Sequence, residues 1–214
     1  MNSNDSHIRL NYPLFPLAVV MLPGAELPLY IFEDRYKDLV RRSLKKKSEF
    51  GIIYTDGTSM RGVGCGARVV NMLRKYPDSR MEIIVRGTDR FIVQRTVTHP
   101  SGYLEARIAP LLDREETVDD ATRSEVIDMY NKIVREVFGG TLHEVAPDTP
   151  DQYVSFRIAQ KVGLSLHDRQ KLLESSSEHE RLLFLQRRLE ELLPRLGEAA
   201  TIQRLVKNDG YIPT

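Results

Sequence analysis

Between residues 14 and 29 the chain reads LFPLAVVMLPGAELPL, two apolar runs bracketed by prolines with Pro23-Gly24 between them. Proline fixes φ near −65° and glycine tolerates φ > 0, so this dipeptide predicts a tight turn. Val19, Val20, Leu29, Ile31 and Phe32 suit strands on either side of it. The period then changes. Tyr36, Leu39, Val40 and Leu44 fall at i, i+3, i+4 and i+8, the spacing of one helix face. A strand–turn–strand–helix unit therefore opens the fold.

Short strands continue through the first half. Residues 50–55 are apolar and meet a turn at Asp56-Gly57; residues 63–73 read as extended; Tyr76-Pro77-Asp78-Ser79 turns the chain. Met81, Ile83 and Val85 alternate with polar neighbours, Gly87-Thr88-Asp89 reads as another turn, and Phe91 and Val93 begin a further strand ending near Val97. After a turn at residues 99–102, Leu104, Ala106 and Ile108 alternate again. Strands this closely spaced predict a twisted sheet or a small barrel.

The second half is helical in period. Val126, Tyr130, Ile133 and Val137 mark one face, with Gly139-Gly140 as its C-terminal cap. Thr149, Pro150 and Gln152 form a capping-box start, after which Val154, Ile158 and Val162 run to Gly163. A short helix is expected over residues 168–174. Ser177 and Glu180 form a second capping box ahead of Leu182, Leu185, Leu189 and Leu192, and Pro194 predicts a stop or kink at Leu193. The acidic stretch at residues 111–118 marks a boundary. The expected organisation is a β-rich subdomain over 8–113, a helical one over 114–195, and a tail over 196–214 with room for a short helix at 199–206.

Composition narrows the function classes. Thirty-one basic against 30 acidic residues leave a net charge of +1, which offers no general grip on nucleic acid or anionic membrane. Cys65 is the only cysteine, so no internal disulfide can form and a reducing compartment fits. The polar start, MNSNDSHIRL, is not a signal peptide, and no run approaches the roughly 20 apolar residues of a membrane span. A cytoplasmic protein is expected.

An ordered set of motifs resembles the substrate-binding domain of Lon proteases. It comprises LFPL at 14–17, PG at 23–24, LPL at 27–29, FEDRY at 32–36, GVGCGARVVNM at 62–72 and GTDRF at 87–91. The helical half matches more loosely, in RQKLLE at 169–174 and ERLLFLQRRLEEL at 180–192. The resemblance implies an α+β fold: a PUA-like small β-barrel, or twisted antiparallel sheets, followed by an α-helical bundle. It also implies a domain that recognises protein and does no chemistry. Full-length Lon continues into ATPase and Ser-Lys protease modules, whereas this sequence holds no G-x-x-x-x-G-K-[ST] phosphate loop. A stand-alone domain, naturally short or cut from a longer parent, is the expectation, the former favoured because residues 202–214 read as a finished tail.

Apparent chemical motifs have simpler readings. Gly62 to Ala67 satisfies a loose G-x-G-x-x-A pattern, but a strand-like run follows where a dinucleotide site needs a helix. Ser43-Leu44-Lys45-Lys46 matches S-x-x-K without its companion signatures and sits in a basic helix end. Cys65 reads as a small buried hydrophobe. The five histidines lack metal-ligand spacing. No catalytic residue, cofactor or metal is expected.

The expected function is non-catalytic recognition of unfolded or damaged protein segments, or of an adaptor, with weak self-association as a route to avidity. A shallow apolar groove with strand-edge hydrogen bonds would hold a peptide at micromolar affinity or weaker. The residues placed at that groove are Glu33, Arg35, Tyr36, Tyr54, Met60, Met72, Tyr76 and Arg90. For Glu33, Arg35 and Arg90 the competing reading is a structural cluster holding the first helix to the barrel. The alternative function is an RNA-binding PUA-like domain, for which the only dense basic run is 41–47.

Overall fold

The computed structural model describes residues 8–138, 144–146 and 154–207. Its elements are β1 (Arg9–Leu17), β2 (Glu26–Ile31), α1 (Asp34–Lys46), β3 (Phe50–Tyr54), β4 (Val63–Lys75), β5 (Met81–Thr98), β6 (Leu104–Pro110), α2 (Asp120–Phe138), α3 (Val154–Ala159), α4 (Leu166–Glu174) and α5 (Glu178–Lys207). They fall into two compact units, Met1–Asp113 with Gly163–Ser176, and Arg114–Val162 with Ser177–Thr214.

All six strands and helices α1 and α4 make the first unit. Its sheet runs β2-β5-β4-β3-β1-β6, and β6 pairs again with β5. Five strands thus close into a ring, which removes their edges. Tyr12, Leu14, Ile53, Phe91, Ala106 and Ile108 form the core cluster of this barrel. The ring of Phe91 fills the space over Gly51 and Gly64, where any side chain would collide with it. The run 62–67 is therefore strand packed on an aromatic ring.

Several details depart from the sequence reading. Val19 and Val20 lie outside any strand, and β1 and β2 do not pair with each other. The Pro23-Gly24 turn forms as expected, with Gly24 at φ 74° and Ala25 N–H bonded to Leu22 O at 3.1 Å, but it joins no hairpin. It docks on β5 instead: Gly24 donates to Gly87 O at 3.0 Å and Gly87 to Ala25 O at 2.8 Å. A Cβ on Gly87 would lie 2.2 Å from Leu22 O. Gly87 thus permits close approach rather than reversal, and β5 runs unbroken through the expected turn at 87–89. The β1–β3 pair is parallel, so the sheet is mixed, not wholly antiparallel. On α1, Tyr36, Leu39, Val40 and Ser43 are buried, whereas Leu44 is exposed.

Helices α2, α3 and α5 make the second unit. Val126, Tyr130 and Ile133 of α2 are buried, as are Leu182, Leu185 and Leu189 of α5, each on the face its period predicted. The helical starts are capped by side chains. Ser177 Oγ accepts from Glu180 N–H at 3.0 Å, and Glu116 completes the cap by taking Ser177 Oγ at 2.8 Å and His179 N–H at 3.1 Å. Arg181 is wholly buried, bonded to Glu178 at 2.7 Å and to Ser155 Oγ at 3.0 Å, with its guanidinium 4.6 Å from the centre of the Phe156 ring.

Helix α3 ends at Ala159, earlier than the expected run to Gly163, which instead takes φ 64° after an irregular turn. Helix α4 starts two residues before the expected span, with Ser165 Oγ accepting from Asp168 N–H. Helical backbone continues through Pro194 to Lys207, so no stop forms at Leu193 and residues 199–206 are not a separate helix. The proline removes one ladder bond without ending the helix. Gly139-Gly140 and the capping box at 149–152 lie outside the described residues.

Candidate recognition surface

Beyond the barrel, the β4–β5 hairpin continues as a flap. Residues 68–75 of β4 pair only with 81–86 of β5, because β3 leaves β4 after Ala67. The same stretch of β5 pairs on its other side with β2, from Glu26↔Arg86 to Ile31↔Met81. The flap is thus a three-stranded sheet, β2-β5-β4. Among the described residues no strand pairs with the outer edge of β4 over 68–75.

The register along this edge is irregular. Val69 pairs with Val85 and Asn71 with Ile84, so Val70 is extra; Met72 pairs with Ile83 and Arg74 with Glu82, so Leu73 is extra. Two bulges three residues apart each add one apolar side chain to the strand. Val70 is 43% exposed, Met72 39% and Leu73 54%. Fully burying such a side chain is worth about 1.5–3 kcal/mol, so each keeps on the order of 1 kcal/mol to gain from a partner.

At the tip of the flap lies an aromatic and cationic cluster. Tyr30 and Phe32 stack with centroids 5.9 Å apart, and Tyr76 meets Tyr30 edge-on at 6.3 Å. Arg74 and Arg80 lie over the Tyr76 ring at 4.8 and 5.1 Å. The Tyr76 hydroxyl donates to Glu82, which pushes the phenol's pKa up. Tyr30 and Phe32 are exposed. Tyrosine, phenylalanine and arginine are the residue types that anchor protein interfaces.

Of the eight residues expected at a groove, Met72 and Tyr76 belong to this surface. Glu33 and Arg35 pair with each other at 2.6 Å on the exposed start of α1. Tyr36 is buried against Phe15, ring centroids 4.0 Å apart. Tyr54 and Met60 flank the 55–60 turn, and Met60 packs on the barrel core. Arg90 lies at no groove edge: it is buried and donates to Leu173 O at 2.9 Å, to Ser175 O and to Asp113. It anchors the end of α4, where the carbonyls of Leu173 and Ser175 meet its guanidinium beside the Asp113 carboxylate. The sequence reading missed Tyr30, Phe32, Val70, Leu73, Arg74 and Arg80. The doubled apolar pairs Val69-Val70 and Met72-Leu73 were the available signal, since a bulge breaks strict alternation at such pairs.

Other chemistry is structural. Cys65 is fully buried, and burial pushes its thiol up to about 12. Ser43 is buried while Lys46 is exposed. A recess of about 560 Å³ beside α1 presents Arg9, Arg42, Lys46, Glu49 and Glu105, charges of both signs; Arg9 pairs with Glu49 at 3.3 Å. In the basic run, Asp38 holds Arg42 at 2.9 Å and Arg41 at 3.8 Å. Among the described residues there is no group of His, Cys, Asp or Glu able to hold a metal ion, and no helix long and apolar enough to cross a membrane.

Comparison with known proteins places these features in context. The family described as the ATP-dependent protease La (LON) substrate-binding domain matches residues 11–191. Lon protease from Buchnera aphidicola subsp. Schizaphis graminum is 24% identical over 220 residues, covering 97% of this chain and 28% of the relative. Lon protease from Escherichia coli strain K12 is 25% identical over 220 residues, with the same shares. The chain thus spans about a quarter of the length of these relatives. A Lon N-terminal domain protein from Xanthomonas campestris superposes with a TM-score of 0.60 at 27% identity, over 86% of this chain and 96% of that one. The N-terminal domain of Mycobacterium avium complex Lon protease gives 0.68 at 17% identity, over 84% and 97%, a likeness of fold alone.

Proposed function

The chain belongs to the Lon substrate-binding domain family, whose role is substrate recognition, and we propose that it captures extended apolar segments of other proteins along the open β4 edge of the flap. The segments belong to unfolded or damaged proteins, or to an adaptor, met in the cytoplasm. The domain does no chemistry in this reading. It supplies a binding surface only.

One observation carries the reading: an unpaired strand edge that exposes Val70, Met72 and Leu73 together. Backbone N–H and C=O groups along such an edge accept an added strand, and the side chains beside it set preference. Folded proteins commonly blunt open edges with charge, and here three apolar residues remain in water between Arg68 and Arg74. The exposed Tyr30 and Phe32 extend the surface at the tip.

The gain is small. Three half-buried side chains contribute roughly 3 kcal/mol before ordering costs, so micromolar or weaker binding follows. Fluorescence anisotropy with a labelled valine-rich peptide tests this. Saturable binding that is lost in V70S/L73S, with the thermal midpoint kept, is the expected result. Unchanged binding by that variant would remove β4 from the mechanism.

A further inference from the structure

The register assigns the β4 edge a charge pattern as well as an apolar one. Arg68, Asn71 and Arg74 pair with Arg86, Ile84 and Glu82, so these three lie on one face of the flap. Val69, Met72 and Lys75 pair with Val85, Ile83 and Met81, which places them on the other. One face of the edge is thus polar and twice cationic; the other is apolar and ends in a lysine. The stretch 68–75, RVVNMLRK, holds no acidic residue.

The cations differ in how far they are satisfied. Arg68 is held by Glu49 at 2.8 Å. Arg74 leans over the Tyr76 ring, and among the described residues no carboxylate lies in ion-pair range of Arg74 or Lys75. A strand added to this edge sets its own side chains directly opposite these, face by face, and opposite charges stabilise such pairs while like charges oppose them. A second copy of the same strand would bring more cations to this edge and no carboxylate to meet them, which disfavours self-pairing.

Resting on the peptide-capture reading, we infer that the occupant is an extended segment in which apolar residues alternate with acidic ones. Its acidic side chains lie over Arg68 and Arg74, and its apolar ones over Val69 and Met72. A further carboxylate at its end meets Lys75. The edge therefore discriminates among apolar segments by charge, favouring acidic ones and rejecting basic ones.

Two labelled peptides of equal length, one alternating valine with glutamate and one valine with lysine, test this on the full chain by anisotropy. The glutamate peptide is expected to bind about tenfold tighter at low ionic strength, with the gap narrowing as salt rises. In R74E/K75E, at two exposed positions, the preference should invert, with the thermal midpoint measured alongside to check the fold. Equal binding of the two peptides, lost in V70S/L73S, would overturn charge selection and leave edge capture standing. Binding of neither would remove both. A dimer in sedimentation analysis that dissociates in V70K would make a second copy the occupant and overturn the inference.

Discussion

Strands β4 and β5 are the same hairpin living in two environments. Over 63–67 and 87–98 they are barrel wall, where Gly64, Cys65, Gly66, Ala67, Gly87 and Phe91 are buried. Over 68–75 and 81–86 they are flap, and every residue of β4 from Val70 to Lys75 is exposed. The difference is one neighbour: β3 pairs with the inner part of β4 and leaves it after Ala67. Where the ring closes, packing decides each residue. Where it opens, β5 still buries Met81, Ile83 and Val85, while β4 presents its side chains to solvent.

The comparison breaks most readily at Gly87. Its Cβ would sit 2.2 Å from a backbone oxygen, so Gly87→Ala should lower stability by roughly 3 kcal/mol in urea denaturation. An unshifted midpoint would mean the 22–25 turn gives way freely and the barrel wall is no tighter than the flap. Arg90→Ala comes next. It removes the hydrogen bonds to two carbonyls and to Asp113, and about 2–4 kcal/mol should be lost. By contrast, V70S/L73S should stay within about 0.5 kcal/mol of the parent while peptide affinity falls about tenfold. A stability loss as large as that at Gly87 would show the flap to be core.

At neutral pH the smallest effect concerns Cys65. Its thiol pKa rises from 9.0 to about 12 on burial, so between those values the unfolded chain loses a proton that the folded one keeps. Stability should therefore fall as pH rises above about 9. At pH 8 the native thiol should stay silent to a colorimetric disulfide reagent and react once urea unfolds the chain. Prompt native reaction would mean the barrel wall opens as easily as the flap.

Much of the fold was legible because local chemistry and tertiary demand agreed. The alternation at Met81, Ile83 and Val85, the turn at Pro23-Gly24 and the leucine period of α5 each satisfy both. The family resemblance supplied the barrel, which alternation alone left open between a sheet and a ring. The errors lie where tertiary demand overrode a local signal. Gly87 reads as a turn residue, yet it is a strand residue under another backbone. Leu44 keeps the helical period of α1, but Ser43 takes the buried position. Arg90 sits in a shared motif, and only the folded chain reveals that α4 returns to meet it. On the candidate surface, Met72 and Tyr76 are the two positions that the sequence reading singled out by residue type. Val70 and Leu73 were not, since their exposure depends on pairing two residues against one, a property of register that no single strand's sequence states outright.

Those two insertions have one more effect. Each shifts the outer row of amide and carbonyl groups out of step, so a guest strand follows the edge only by setting one residue against each bulged pair. Fibril growth needs an uninterrupted repeat of identical chains. A hairpin built this way can hold a transient guest and still refuse to seed amyloid, which lets a sticky edge stand in crowded solution without gathering its own kind.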